Sequence, residues 1–241
     1  MANRREGNVV KIEPLAAVSR DNLTQRVYAQ LRTALMEGQF KPGHRFKIRD
    51  LAESMGVSET PIREALMQLV CERGLDMQAS RSITVATLTY RQYVELREIR
   101  MQLEGLAAER AVANITEDDI AELEAAHKRL VAAEASGEWR EAVRANWHFH
   151  FMLFRKAEMP ELLAILEGIW LRNGPLMNFL YPHAKPTYAK RHQHLNVIDG
   201  LRKRSAARVR AAIQADLDEG GKSLMLYLQR LEEEQLAAAQ A

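Results

Sequence analysis

The stretch Gly56-Val57-Ser58-Glu59-Thr60-Pro61-Ile62-Arg63-Glu64-Ala65-Leu66 most constrains the fold. Before it, Leu51 and Met55 are four residues apart and share one helix face. Gly56 can take the left-handed conformation that ends a helix. Ser58 and Thr60 are both candidate N-caps for a second helix, and Pro61 is tolerated in its first turn. Ile62, Leu66, Leu69 and Val70 then give that helix one apolar face. Two short helices around a glycine turn make either a plain helical hairpin or a helix-turn-helix whose second helix enters a DNA major groove.

The flanking segments extend this pattern. Leu23 to Glu37 has helical spacing, with Val27, Leu31, Ala34 and Leu35 on one face, Asp21 or Asn22 as cap and Gly38 as stop. Lys41-Pro42-Gly43 is turn chemistry, and Phe40 and Arg45–Ile48 are short extended pieces. After Arg73-Gly74, Leu75 and Met77, then Ile83 and Val85, alternate around a polar turn that carries Arg81. That is a β-hairpin.

Taken together, residues 23–85 resemble the winged helix-turn-helix domain of the GntR family of bacterial transcription regulators. The resemblance rests on Leu23-Thr24-Gln25-Arg26-Val27-Tyr28, Glu37-Gly38-Gln39-Phe40-Lys41-Pro42-Gly43, Arg49-Asp50-Leu51-Ala52 and the opening stretch. It implies DNA contacts from Arg49, Ser58, Thr60, Arg63 and, on the wing, Arg81. Arginine suits guanine edges and phosphates. Glu59 stands where the family has arginine. A carboxylate there repels phosphate or accepts from cytosine, or else it simply suits the positive end of the helix. The wing also departs from the family pattern: Ala79, Ser80 and Ser82 surround Arg81.

The expected architecture is mainly α. A mobile arm (1–20) precedes the winged domain (21–85). A linker (86–89) leads to an all-helical domain (90–241), an antiparallel bundle of about six helices. These run Tyr90 to Val112, Thr116 to Ala135, Glu138 to Lys156, Pro160 to about Leu180 with a kink at Gly174-Pro175, Tyr188 to Lys203, and Ser205 to about Glu234, with the end from Leu236 fraying. Thr116 with Asp119 forms an acidic capping box. Of the 241 residues only Cys71 is a cysteine, which excludes an intrachain disulfide, fits a cytoplasmic location and reads as a small packed side chain. No run of apolar residues is long enough for a membrane span, and the opening residues lack the apolar core of a signal peptide. Residues 1–85 carry 13 lysines and arginines against 10 acids, mildly basic as a DNA reader should be.

The helical part resembles the C-terminal effector domain of the FadR subfamily, in its shorter VanR-type form. Many such domains bind a divalent metal through Asp-x-x-x-His on one helix and a histidine on each of two later helices. Asn146, His150, His194 and Asp216 have this spacing, with Asn146 in place of the aspartate and Asp216 in place of the last histidine. Two imidazoles, a carboxylate and an amide oxygen suit zinc first, and also nickel, iron or manganese. The alternative is that His150 and His194 are packed core histidines. Arg100 matches a family position that meets anionic effectors, or it pairs on the surface with Glu104 at i+4. His44, His127, His148, His183 and His192 read as surface or packing residues, and the basic run Arg202 to Arg210 as a helix junction with a solvated face.

The resemblance implies a cytoplasmic, ligand-responsive repressor. It would bind a near-palindromic DNA operator as a homodimer and answer to a small carboxylate effector. An enzyme of the di-iron type would need Glu-x-x-His twice, and the chain has only Glu124 with His127. A helical interaction protein without DNA binding is disfavoured by the reading head.

Overall fold

The computed structural model describes residues 23–79 and 82–240. The expected arm, the cap candidates Asp21 and Asn22, and Arg81 lie outside the described residues.

Helix α1 (Leu23–Met36) buries Val27, Leu31, Leu35 and Met36, a stripe set by its three- and four-residue spacing. Helix α2 (Ile48–Met55) ends at Gly56, which has φ 64°. Only glycine takes that conformation without steric cost, so the tight turn into α3 (Glu59–Cys71) depends on it. Helix α3 packs Ile62, Ala65, Leu66 and Leu69 inward. Strands β1 (Arg45–Phe46), β2 (Leu75–Met77) and β3 (Ile83–Val85) form an antiparallel sheet of order β1-β3-β2. Phe46 pairs with Ile83, and Leu75 with Val85, so the apolar residues share the face that covers the helices. This is a winged helix-turn-helix. Cys71, expected to pack, sits at the last position of α3 and is exposed.

The connection to the second part is short and held. The Ala86 N–H donates to the Gly74 carbonyl, and Ala86 is buried. Thr89 then caps α4 (Tyr90–Ala111) with a full capping box, in which the Gln92 side chain answers the Thr89 backbone. Helices α5 (Glu117–Ser136), α6 (Trp139–Arg155) and α7 (Pro160–Leu176) follow, then a 3₁₀ turn (Met177–Phe179), α8 (Gln193–Arg202) and α9 (Ala206–Ala215). A π turn (Asp216–Gly220) joins α9 to α10 (Gly221–Gln240). The Thr116–Asp119 capping box forms as its residues require.

Three boundaries differ from the sequence reading. Helix α8 begins at Gln193 rather than Tyr188, with the His192 side chain capping its first turn. The last rod is not regular but carries the π turn. Its end does not stop near Glu234, since α10 continues to Gln240. Pro175 lies inside α7 and removes one backbone donor, and the chain tightens into the 3₁₀ turn directly after it. The basic run does lie at a helix junction: Arg204 donates to the carbonyls of Val112 and Ile115, and Arg202 and Arg210 pair with Glu124 and Glu109.

Helix α7 joins the two parts. Arg32 of α1 pairs with Glu167 at 2.7 Å, and Asn178 donates its amide hydrogens to the carbonyls of Gly38 and Phe40. One continuous apolar cluster runs from Val27 and Leu66 through Leu171 to Val197 and Ile213. The backbones of α1 and α7 touch at Gly174, where an added Cβ would lie 2.5 Å from the Met36 carbonyl oxygen and closer still to that of Leu35. Gly174→Ala is therefore expected to lower stability by about 1–3 kcal/mol, the usual cost of overpacking. A urea unfolding midpoint equal to that of the wild type would show that α1 and α7 have slack at this contact.

Candidate nucleic-acid interface and metal centre

The outer face of α3 is formed by the residues its apolar stripe leaves over. Glu59, Thr60, Arg63 and Glu64 are exposed there, and Arg49 is exposed on the first turn of α2. Ser58 holds the N-cap position in an extended conformation, but its hydroxyl makes no cap hydrogen bond. Thr60 is the second helical residue rather than a cap. Glu59 and Arg63 pair at 3.7 Å with both side chains more than half exposed, so the carboxylate partly offsets the arginine charge on this face. Arg49, Ser58, Glu59, Thr60 and Arg63 are all exposed to solvent, while Arg81 lies outside the described residues.

The second site lies between α4, α6, α7, α8 and the π turn. One helical turn separates Asn146 from His150 on α6, and both line a cavity of ≈ 50 Å³ with Arg100, Tyr188 and Asp216. His150 Nε2 lies 3.3 Å from Asp216 Oδ2, and His194 Nε2 lies 3.9 Å from the same oxygen. His150 and His194 are almost fully buried. His194 stacks on Phe149, with ring centroids 3.7 Å apart, yet neither of its ring nitrogens has a hydrogen-bond partner. Buried polar atoms are rarely left unpaired, and as neutral imidazole nitrogens these are free to serve as metal ligands. Asn146 is half-buried and offers its amide to the same cavity.

Behind His150 sits a buried charge network. Glu104 is fully buried and accepts from Arg100 Nε at 2.6 Å and from Trp170 Nε1 at 2.8 Å. Its other oxygen lies 3.6 Å from His150 Nδ1, and those two atoms have no nearer partner. Arg100 also donates from Nη1 to Asn173 at 2.9 Å and lies over the Trp170 ring at 4.6 Å. The two readings of Arg100 therefore merge: it pairs with Glu104 one turn on, but inside the bundle and on the cavity wall.

Residues 23–85 match the description "Bacterial regulatory proteins, gntR family", and residues 95–219 match the FCD domain. The HTH-type transcriptional regulator McbR of Escherichia coli K12 is 34% identical over 171 residues, covering 71% of this chain and 77% of McbR. The chain belongs to the GntR family of bacterial transcription regulators. The solved structure of E. coli McbR/YncC superposes on this GntR-family chain with a TM-score of 0.77 at 30% identity, covering 86% of this chain and 98% of that one. The HTH-type transcriptional regulator YdhC of Bacillus subtilis is 30% identical over 70% of the chain and 76% of its own length. The HTH-type transcriptional repressor RspR of E. coli K12 is 24% identical over 84% and 89%. These relatives are regulators, not enzymes. In this GntR-family chain the one Glu-x-x-His pair is also split, because Glu124 turns outward to Arg202. Among the described residues no helix is long and apolar enough to cross a membrane.

Of the histidines read as surface or packing, His127 is buried and His192 half-buried, and one ring nitrogen of each lies within 4.8 Å of one on His194. His192 is hidden because a helix starting at Tyr188 would turn it away from His194. With the helix starting at Gln193, His192 becomes its cap and folds back, accepting from the His194 N–H at 3.1 Å. His127 was legible, since it continues the buried stripe of Leu123 and Leu130 on α5.

Burial pushes the His194 and His127 imidazoles down and takes His192 from 6.5 to about 4. For Asp216 burial acts upward, but contact with His194 and His150 outweighs it and the carboxyl stays below its usual range. The neutral imidazoles and the anionic carboxylate are the protonation states a metal needs. In the unfolded chain the histidines titrate near 6.5. Between about pH 6.5 and 4 the unfolded chain takes up protons that the fold refuses. Stability of the metal-free protein is thus fully present above pH 6.5 and is lost as the pH falls through that window, by an amount on the order of a few kcal/mol. Denaturant midpoints at pH 7 and pH 5 check this, and equal midpoints would mean that the cluster is solvated.

Proposed function

We propose that this regulator is a ligand-responsive repressor that binds a near-palindromic DNA operator as a homodimer. In this reading residues 21–85 read DNA, residues 86–89 link, and residues 90–241 bind the effector and dimerise. The observation that carries it is the double role of α7. One side of that helix, at Glu167, Leu171 and Gly174, seats the reading head, while Trp170 and Asn173 hold Glu104 and Arg100 at the cavity. A ligand that shifts Arg100 acts on the helix that carries the head. Repression is supported by the name of the relative RspR, and a two-fold dimer by the symmetry that helix-turn-helix readers impose on operators.

His150, His194 and Asp216, with the Asn146 amide oxygen, would hold a divalent ion, zinc first, with nickel, iron or manganese as alternatives. Such an ion would supply a Lewis-acid anchor for a carboxylate. Arg100 has Nε and Nη1 committed and keeps Nη2 for the second carboxylate oxygen. The cavity volume, ≈ 50 Å³, supports a small effector, and Arg100 on its wall supports an acid. The ligand changes DNA affinity only by its preference for one placement of the heads over another, and by linkage DNA changes ligand affinity by the same factor.

On DNA, Arg49 and Arg63 would contact base edges or phosphates, Ser58 and Thr60 would donate to phosphates, and Arg81 would reach the adjacent groove. Binding of a duplex selected from random sequence, followed by fluorescence anisotropy, tests this surface. Arg63→Ala is expected to weaken binding by about 1–3 kcal/mol. Glu59→Arg is expected to tighten it, change the preferred base at that position and steepen the salt dependence by about one phosphate contact. Unchanged affinity and preference in Glu59→Arg would remove Glu59 from the DNA surface.

The metal part has its own test. Elemental analysis of protein purified without chelator or nickel resin should find about one ion per chain, lost in His194→Gln. Operator affinity that is the same with and without zinc and small carboxylates would show that the cavity does not control the heads.

A further inference from the structure

The effector reading uses His194 but leaves His127 and His192 without a role. His127 comes from α5 and His192 from the cap of α8, so two elements bring them to the same point. Their ring centroids are 4.9 Å apart and lie 5.6 and 4.3 Å from that of His194. His127 is 7% exposed and its Nδ1 is buried without a partner, as are both nitrogens of His194. The Nδ1 of His192 is held by the helix backbone, which aims the ring and leaves Nε2 for another partner. A core built only for packing would use leucine or phenylalanine here, because buried imidazole nitrogens without partners cost stability.

We propose that His127, His192 and His194 form a second, all-nitrogen metal position, alternative to the one at His150, His194 and Asp216. His194 belongs to both, and a neutral imidazole has one lone pair to give. One ion therefore occupies one position at a time. Three imidazoles suit zinc, nickel or copper, whereas the carboxylate-bearing position also suits manganese and iron. A metal–nitrogen bond of about 2.0–2.1 Å requires the three rings to swing inward from their present spacing. Joined to the effector reading above, on which this clause alone rests, metal type then decides whether the cavity holds an ion next to Arg100 or loses it to the His127 side.

The test uses the full chain, stripped with chelator, titrated with zinc against a chromophoric competitor and with cobalt(II) read by its visible absorption. Wild type is expected to bind one equivalent. His127→Gln and Asp216→Asn should each still bind one, with different cobalt spectra, because each leaves one position intact. The double variant should lose affinity by at least about 100-fold. Loss of binding in Asp216→Asn alone, or wild-type affinity in the double variant, would overturn the second position. Two equivalents in the wild type would overturn the exclusion. Loss in His127→Gln alone would keep the triad and instead overturn the metal assignment of the effector cavity. Thermal unfolding of each variant checks the fold, and His192→Gln paired with Asp216→Asn provides an independent double variant.

Discussion

The carboxylate of Glu104 is the constraint around which the bundle is arranged. It has no exposed surface, and a buried charge is tolerated only when neighbours satisfy it. Arg100 from its own helix and Trp170 from α7 do so, and His150 from α6 faces its remaining oxygen. Three helices are thereby fixed at one point. The arrangement also sets the direction of the His150 ring. With Nδ1 toward Glu104, Nε2 faces Asp216. At 3.6 Å the Glu104 oxygen and His150 Nδ1 face each other without a hydrogen bond.

From that point the structure extends in two directions. Toward α8 and the π turn, the imidazoles and Asp216 create a polar pocket in a mainly apolar bundle. Toward α7, the Arg100–Asn173 hydrogen bond and the Trp170 contacts reach the helix that is in backbone contact with α1 at Gly174. The apolar core of the reading head is continuous with that of the bundle. Head and pocket are thus mechanically adjacent, and Arg49 and Arg63 on the head are exposed to solvent.

Much of this was legible in the sequence because it is encoded locally. Gly56, the spacing of Ile62, Leu66 and Leu69, and the Thr116–Asp119 box each act within one or two helical turns. The Arg100–Glu104 pair was legible as spacing, but its burial was not, since burial is decided by Trp170 and Asn173 some seventy residues away. The place of His192 depends on where α8 begins, since as its N-cap it folds back on the His194 N–H, and its ring meets His127 from α5, a contact between distant elements. Cys71 failed for a local reason: it lies two turns beyond the exposed Glu64, on the solvent side of α3.

The π turn at Asp216–Gly220 has a consequence for how the last rod can serve two masters. A π turn holds one residue more than an α turn, and one residue is about 100° of rotation about the axis. Asp216, at its start, faces the imidazoles, while Leu224 and Leu228 beyond it pack with Tyr93, Leu176 and Leu180. Gly220 gives the room, since a Cβ there would lie 2.8 Å from the Tyr188 hydroxyl. The extra residue works as a phase shifter between chemistry and packing. Were the same residues wound as a regular α-helix, the leucines would be turned by about 100° relative to the carboxylate, and the bundle could face one set but not both.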